Sequence, residues 1–130
     1  MKVLLDTQVW ICMRNAPTRL TARARRILTD ERNELVLSAA TPWEIAIKVA
    51  VGKLRLPGSV EEFVSTRTAA TRVTPLPITQ LHAIESAALP QHHRDPFDRV
   101  LVAQARLERL PLMSTDDVFR AYDVDLVWAC

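Results

Sequence analysis

The chain reads as an α/β domain built on a largely parallel sheet. Two features carry this reading: short apolar runs too brief for helices, and segments of helical period between them. A parallel strand pair needs a crossover of a dozen or more residues, commonly a helix, and that spacing separates most of the runs. Residues 1–130 are expected to form one domain, since the length matches a single hydrophobic core.

Val3-Leu4-Leu5 is the first strand, ended by Asp6, and Val9, Trp10 and Met13 give the next segment a helical stripe. Pro17-Thr18 interrupts it, and Thr21–Leu28 follows as a basic helix. Leu35–Ser38 is the second strand. Thr41-Pro42-Trp43-Glu44 then opens a helix in the order N-cap, Pro at N1 and acid at N3, and Gly52 stops it. Ser59-x-x-Glu62 starts a helix to about Ala70, Val73–Leu76 is a strand held at a sheet edge by Pro75 and Pro77, and Thr79–Ala88 is helical. Asp95-Pro96-Phe97-Asp98 repeats the helix-start frame ahead of a stripe through Val100, Leu101 and Ala105. Leu112–Ser114 and Leu126–Trp128 complete about five strands.

Composition narrows the function. Hydrophobic residues are 48% and charged residues 25%, a globular balance that excludes a disordered tail. Seventeen basic against fifteen acidic residues leave +2, too little for a polybasic binder. No apolar run approaches the roughly 18 residues of a membrane span, and Asp6 interrupts any secretory apolar region, so a cytoplasmic protein without membrane contact is expected. Cys12 and Cys130 lie in no metal-ligand or redox spacing. The two glycines allow neither a dinucleotide fingerprint nor a P-loop.

Four acids stand where ligands of parallel sheets collect. Asp6 is the only acid among the first 29 residues and directly follows a strand, and Asp116 lies just beyond another. Glu44 and Asp98 sit at helix starts by the same edge. Each also has a plainer reading as a helix cap, worth on the order of 1 kcal/mol. Four converging carboxylates repel, two unit charges at 4 Å costing about 4 kcal/mol at an effective dielectric of 20. A hard divalent cation, Mg²⁺ or Mn²⁺ rather than Zn²⁺, would neutralise them and assist phosphodiester hydrolysis.

The segments VLLDT, TPWEIAIKVAVGKLRLP, HRDPFDRVLVAQA and LPLMSTDDVFRAY, in this order and spacing, resemble the PIN-domain ribonucleases, specifically the VapC toxins of type II toxin–antitoxin systems. The resemblance spans essentially the whole chain. It implies a three-layer α/β/α sandwich and an Mg²⁺- or Mn²⁺-dependent endoribonuclease leaving a 5′-phosphate and a 3′-hydroxyl. It also implies a homodimer held inactive by a VapB-like antitoxin, which inserts an arginine among the acids and alone contacts DNA. Carried over by residue, the catalytic acids are Asp6, Glu44, Asp98 and Asp116, with Asp6, Asp98 and Asp116 on the metal and Glu44 assisting or accepting a proton.

Around them Thr7 would orient Asp6 or a phosphate oxygen, Asp95 would cap its helix, and Ser114 stands where the family usually has threonine. Asp117 competes with Asp116 as the ligand, and Gln8 replaces a histidine common in similar sequences. Lys48 and Arg99 are the favoured RNA contacts, each within a helical turn of a pocket acid, from a pool including Arg14, Arg19, Arg23, Arg25, Arg26, Lys53, Arg55 and Arg94. His92 and His93 offer weaker ligand or RNA candidates, His82 reads as structural, and Trp10, Trp43 and Trp128 read as packing residues before base-stacking ones. Two rival functions remain at this level. A non-catalytic, RNA-binding relative would keep the fold, and an aspartyl phosphatase would form a covalent phospho-aspartate, although Asp6-Thr7-Gln8 lacks the DxD of that chemistry.

Overall fold

The computed structural model describes residues 1–92 and 94–130. Five strands, β1 (Lys2–Leu5), β2 (Glu34–Ser38), β3 (Thr74–Leu76), β4 (Leu112–Ser114) and β5 (Leu126–Trp128), form one sheet in the order β3-β2-β1-β4-β5. Every pairing is parallel. The strands fall within a residue of the apolar runs, because a strand buried on both faces must be apolar throughout. β3 is an edge strand, where Pro75 pairs with Leu37 and its missing N–H costs no ladder bond on the open side.

Among the described residues six helices connect the strands: α1 (Thr7–Asn15), α2 (Ala22–Thr29), α3 (Ala40–Ala50), α4 (Val60–Thr71), α5 (Gln80–Ala88) and α6 (Pro96–Leu107). Short 3-10 turns cover Pro17–Arg19 and Asp117–Ala121. Strand side chains alternate faces, and the two cores divide accordingly. Val3, Leu5, Leu35, Leu37, Met113 and Val127 pack with Val9 and Trp10 of α1, Ala24 of α2 and Ile45 of α3. Leu4, Val36 and Leu112 pack on the other face with Leu101, Val102 and Ala105 of α6 and with Phe119. The result is the expected three-layer α/β/α sandwich.

Thr21, Ser59, Thr79 and Asp95 cap α2, α4, α5 and α6 with their side chains. Gly52 stops α3 in a left-handed conformation, φ 78°, that spares a residue without Cβ any strain. His82 is structural: its Nδ1 accepts the Thr79 N–H at 3.0 Å while Thr79 Oγ1 accepts the His82 N–H at 3.2 Å.

The start of α3 departs from expectation. Thr41 is not its cap; the helix begins at Ala40, with no side-chain cap on its Ala39 boundary, while Ser38 Oγ accepts the Ala40 N–H at 3.0 Å. Glu44 therefore stands in the second turn and caps nothing. Trp43 is also turned outward, 51% exposed and packed edge-on against Phe97 at 4.9 Å, whereas Trp10 is fully buried.

Candidate active site

Strand order reverses beside β1, where successive connections run toward β2 on one side and return to β4 on the other. Such a switch point leaves a crevice beyond the carboxyl ends of the strands. A cleft of about 450 Å³ opens there, lined by Asp6, Thr7, Gln8, Glu44, Asp95, Asp98, Thr115, Asp116, Asp117 and Trp128. All four sequence-selected acids thus share one cleft, together with Asp95 and Asp117. Among the described lining residues none is lysine or arginine.

Asp6 lies at the floor, 5% exposed. Its Oδ1 accepts the Val9 N–H at 2.8 Å, capping α1, and its Oδ2 accepts from Ser114 Oγ. The cap and the cleft carboxylate are the same group. Burial pushes its pKa up and the nearby Asp116 charge adds to this, against the lowering effect of the Ser114, Val9 and Thr115 hydrogen bonds. Ser114 Oγ also accepts the Asp116 N–H at 2.9 Å, so one buried hydroxyl ties the ends of β1 and β4 together. Asp116 Oδ1 caps the following 3-10 turn through the Val118 N–H at 3.0 Å.

Thr7 serves Glu44 rather than Asp6. Its hydroxyl donates to Glu44 Oε1 at 2.9 Å, so Thr41 Oγ1, also 2.9 Å from Thr7 Oγ1, must be the donor of that second bond. Glu44 Oε2 meets Lys48 Nζ at 2.8 Å. Both carboxylate oxygens are thereby fixed, by a threonine relay from one side and an ammonium from the other. Asp95 Oδ1 accepts the Phe97 N–H at 2.9 Å, the capping role expected of it.

Arg99, expected from its place beside Asp98 to contact RNA, does not line the cleft. It is 8% exposed and donates to Ser86 O at 2.8 Å, Leu89 O at 2.8 Å and Pro90 O at 2.9 Å. One residue along a helix turns a side chain by about 100°, which carries Arg99 from the cleft face of Asp98 to the α5 face. His92 lies outside the cleft lining, edge-on to Tyr122 at 5.2 Å, and His93 falls outside the described residues. Trp128 lines the cleft, in register with Ser114 across the β4–β5 pair.

The donor set is wholly oxygen and anionic, which fits a hard divalent cation. Yet among the described residues no three acidic, histidine or cysteine side chains are drawn into a closed coordination group. Lys48 holds Glu44, the α1 cap holds Asp6, and the Val118 cap holds Asp116. Gathering on one ion therefore requires side-chain adjustment.

Residues 3–125 match the PIN domain family model. The chain belongs to the PIN-domain family. Ribonuclease VapC16 of Mycobacterium tuberculosis is 38% identical to this PIN domain over 64 residues, 49% of this chain and 45% of that protein. The match thus spans less than half the length of the curated relative. A VapBC2 structure from Rickettsia felis, bound to a DNA fragment from their promoter, shares the fold with TM-score 0.72 at 13% identity over 98% of each chain. FitAcB from Neisseria gonorrhoeae gives TM-score 0.60 at 26% identity, covering 97% of this chain and 96% of that one.

Proposed function

We propose that this PIN domain is a metal-dependent endoribonuclease acting in the cytoplasm as the toxin of a toxin–antitoxin pair. The observation that carries the reading is the switch-point cleft, where Asp6, Glu44, Asp98 and Asp116 converge from separate elements with no cationic residue in the described lining. The ribonuclease relative supports it, and so does the fold shared with a toxin–antitoxin complex from Klebsiella pneumoniae and a VapBC-5 toxin–antitoxin structure from Mycobacterium tuberculosis.

Asp6, Asp98 and Asp116 are the residues to hold Mg²⁺ or Mn²⁺. A cation bound there supplies Lewis-acid activation of water and of the phosphodiester. The chain's own contribution is orientation. Ser114 couples Asp6 to the Asp116 backbone, while Thr41, Thr7 and Lys48 hold the Glu44 carboxylate in place to accept a proton from the attacking water. The same acids would receive an antitoxin arginine, since a guanidinium binds carboxylates in a bidentate fork.

Labelled structured RNAs incubated with the wild type should be cut with Mg²⁺ or Mn²⁺ and left intact with EDTA. The Asp98→Asn protein should fold and not cut. Equal cutting by both proteins, or cutting that EDTA leaves untouched, would overturn the proposal.

A homodimer belongs to the same reading. Trp43 and Ile47 of α3 and Val51 at its C-terminal boundary, 51%, 40% and 61% exposed at four-residue intervals, form an apolar stripe that supports it. Sedimentation should find a dimeric wild type and a monomeric Ile47→Glu variant; a monomeric wild type removes the dimer.

A further inference from the structure

The cleft sets an electrostatic problem for a polyanionic substrate. Its described lining has six carboxylates and no lysine or arginine, so RNA must be held from the margins. On the β5 side such a margin exists. Trp128 lines the cleft opposite Ser114 in register, and its backbone is fixed because the Ala129 N–H donates to Ser114 O at 2.8 Å and Ala129 O accepts the Thr21 N–H at 3.0 Å.

The Arg120 guanidinium lies over the Trp128 ring, 4.7 Å from its centroid, and Arg120 Nε is held by Asp117 Oδ1 at 2.9 Å. Trp10 offers a contrast: it is fully buried and donates its indole N–H to Thr71 Oγ1 at 2.9 Å. Trp128 stays partly exposed, and among the described residues neither its indole N–H nor the terminal nitrogens of Arg120 have a protein acceptor. A partly exposed indole at the cleft wall therefore lies beside a guanidinium whose terminal nitrogens are unspent.

We propose that the Arg120–Trp128 stack is a subsite for single-stranded RNA. A nucleobase beside the scissile phosphate extends the stack on Trp128, and Arg120 contacts the adjoining phosphate. The inference rests on the ribonuclease reading above and deepens it. Only an unpaired base can present its face to the indole, so the subsite selects single strands. Asp117 becomes a positioning residue that aims Arg120, which leaves Asp116 as the ligand of that pair.

The test uses fluorescence anisotropy of a short fluorescein-labelled single-stranded RNA of mixed sequence, bound by the Asp98→Asn protein so that the RNA survives. Adding Trp128→Ala should weaken binding about tenfold, within the range for one stacked base, while Trp128→Phe retains most affinity. Arg120→Ala should reduce the slope of log affinity against log salt by about 0.7, the share of one phosphate on a single strand, and Arg120→Lys should restore it. A merely structural role moves neither the slope nor its rescue. If Trp128→Ala fails to fold by circular dichroism, the Arg120 pair decides.

Unchanged affinity and slope in the Ala variants, or no binding by the Asp98→Asn protein, overturns the subsite. Wild-type cleavage with Mg²⁺ is measured in parallel. Cleavage with unaffected variants removes the subsite alone, and weakened variants without wild-type cleavage of any RNA remove the nuclease reading alone.

Discussion

Asp6→Asn is expected to lower metal-dependent RNA cleavage by more than about a hundredfold and, in the same molecule, to raise the thermal midpoint of the metal-free protein at neutral pH. The first figure takes as its floor the loss incurred when a mere partner of a metal ligand is removed. The second follows from burial. Asp6 is 5% exposed, and the fold favours its neutral form, so it protonates above its ordinary 3.8. Between that value and the folded one, the native state binds more protons than the unfolded chain, and stability falls as pH rises through the window.

Asparagine is neutral at every pH and close in shape. Its Oδ1 can still accept the Val9 N–H, and its amide can donate to Ser114 Oγ. Calorimetry in EDTA should find the wild-type midpoint declining from acid to neutral pH with a flatter profile in the variant. Mg²⁺ at a hundredfold its dissociation constant should add about 2.7 kcal/mol to the wild type and little to the variant. A variant less stable than wild type at neutral pH would make Asp6 chiefly a cap and remove the argument that the site stores unfavourable charge.

What the sequence discloses about this site depends on whether one residue's local role reveals its neighbours. Strands were legible because a parallel strand covered on both faces writes itself as an apolar run, and Asp6 and Asp116 inherit their placement from the strand ends. The Asp95-Pro96 helix start was legible too, since proline at N1 fixes the frame of Asp98. The same frame misled at Thr41-Pro42, because Ala40 continues the chain from β2 directly into helix and Thr41 is buried instead as a donor to Thr7. That relay joins residues 34 and 37 positions apart, and no local pattern encodes it. The pairing of Trp128 with Ser114 is equally non-local, for it exists only once β5 docks beside β4.

Arg99 gives the sharpest opposition between a residue's neighbourhood in sequence and its neighbourhood in space. Next to Asp98 it reads as a phosphate contact; in the fold it gathers the carbonyls of Ser86, Leu89 and Pro90, where α5 ends. A cation there also meets the negative end of the helix dipole. Hydrogen bonds from a charged donor contribute about 1.5–3 kcal/mol each, and their acceptors here are left without that donor when it is deleted. Arg99→Met, which keeps the aliphatic stem, should therefore cost about 3 kcal/mol net of the relieved burial of charge, and lower the thermal midpoint by roughly 10 °C. Arg99→Lys should recover only part of this, since an ammonium lacks the planar fork that reaches several carbonyls at once. Urea unfolding separates the two roles. A phosphate contact predicts unaltered stability and a shallower salt dependence of RNA binding, whereas the clamp between α5 and α6 predicts a lower unfolding midpoint with the salt slope unchanged.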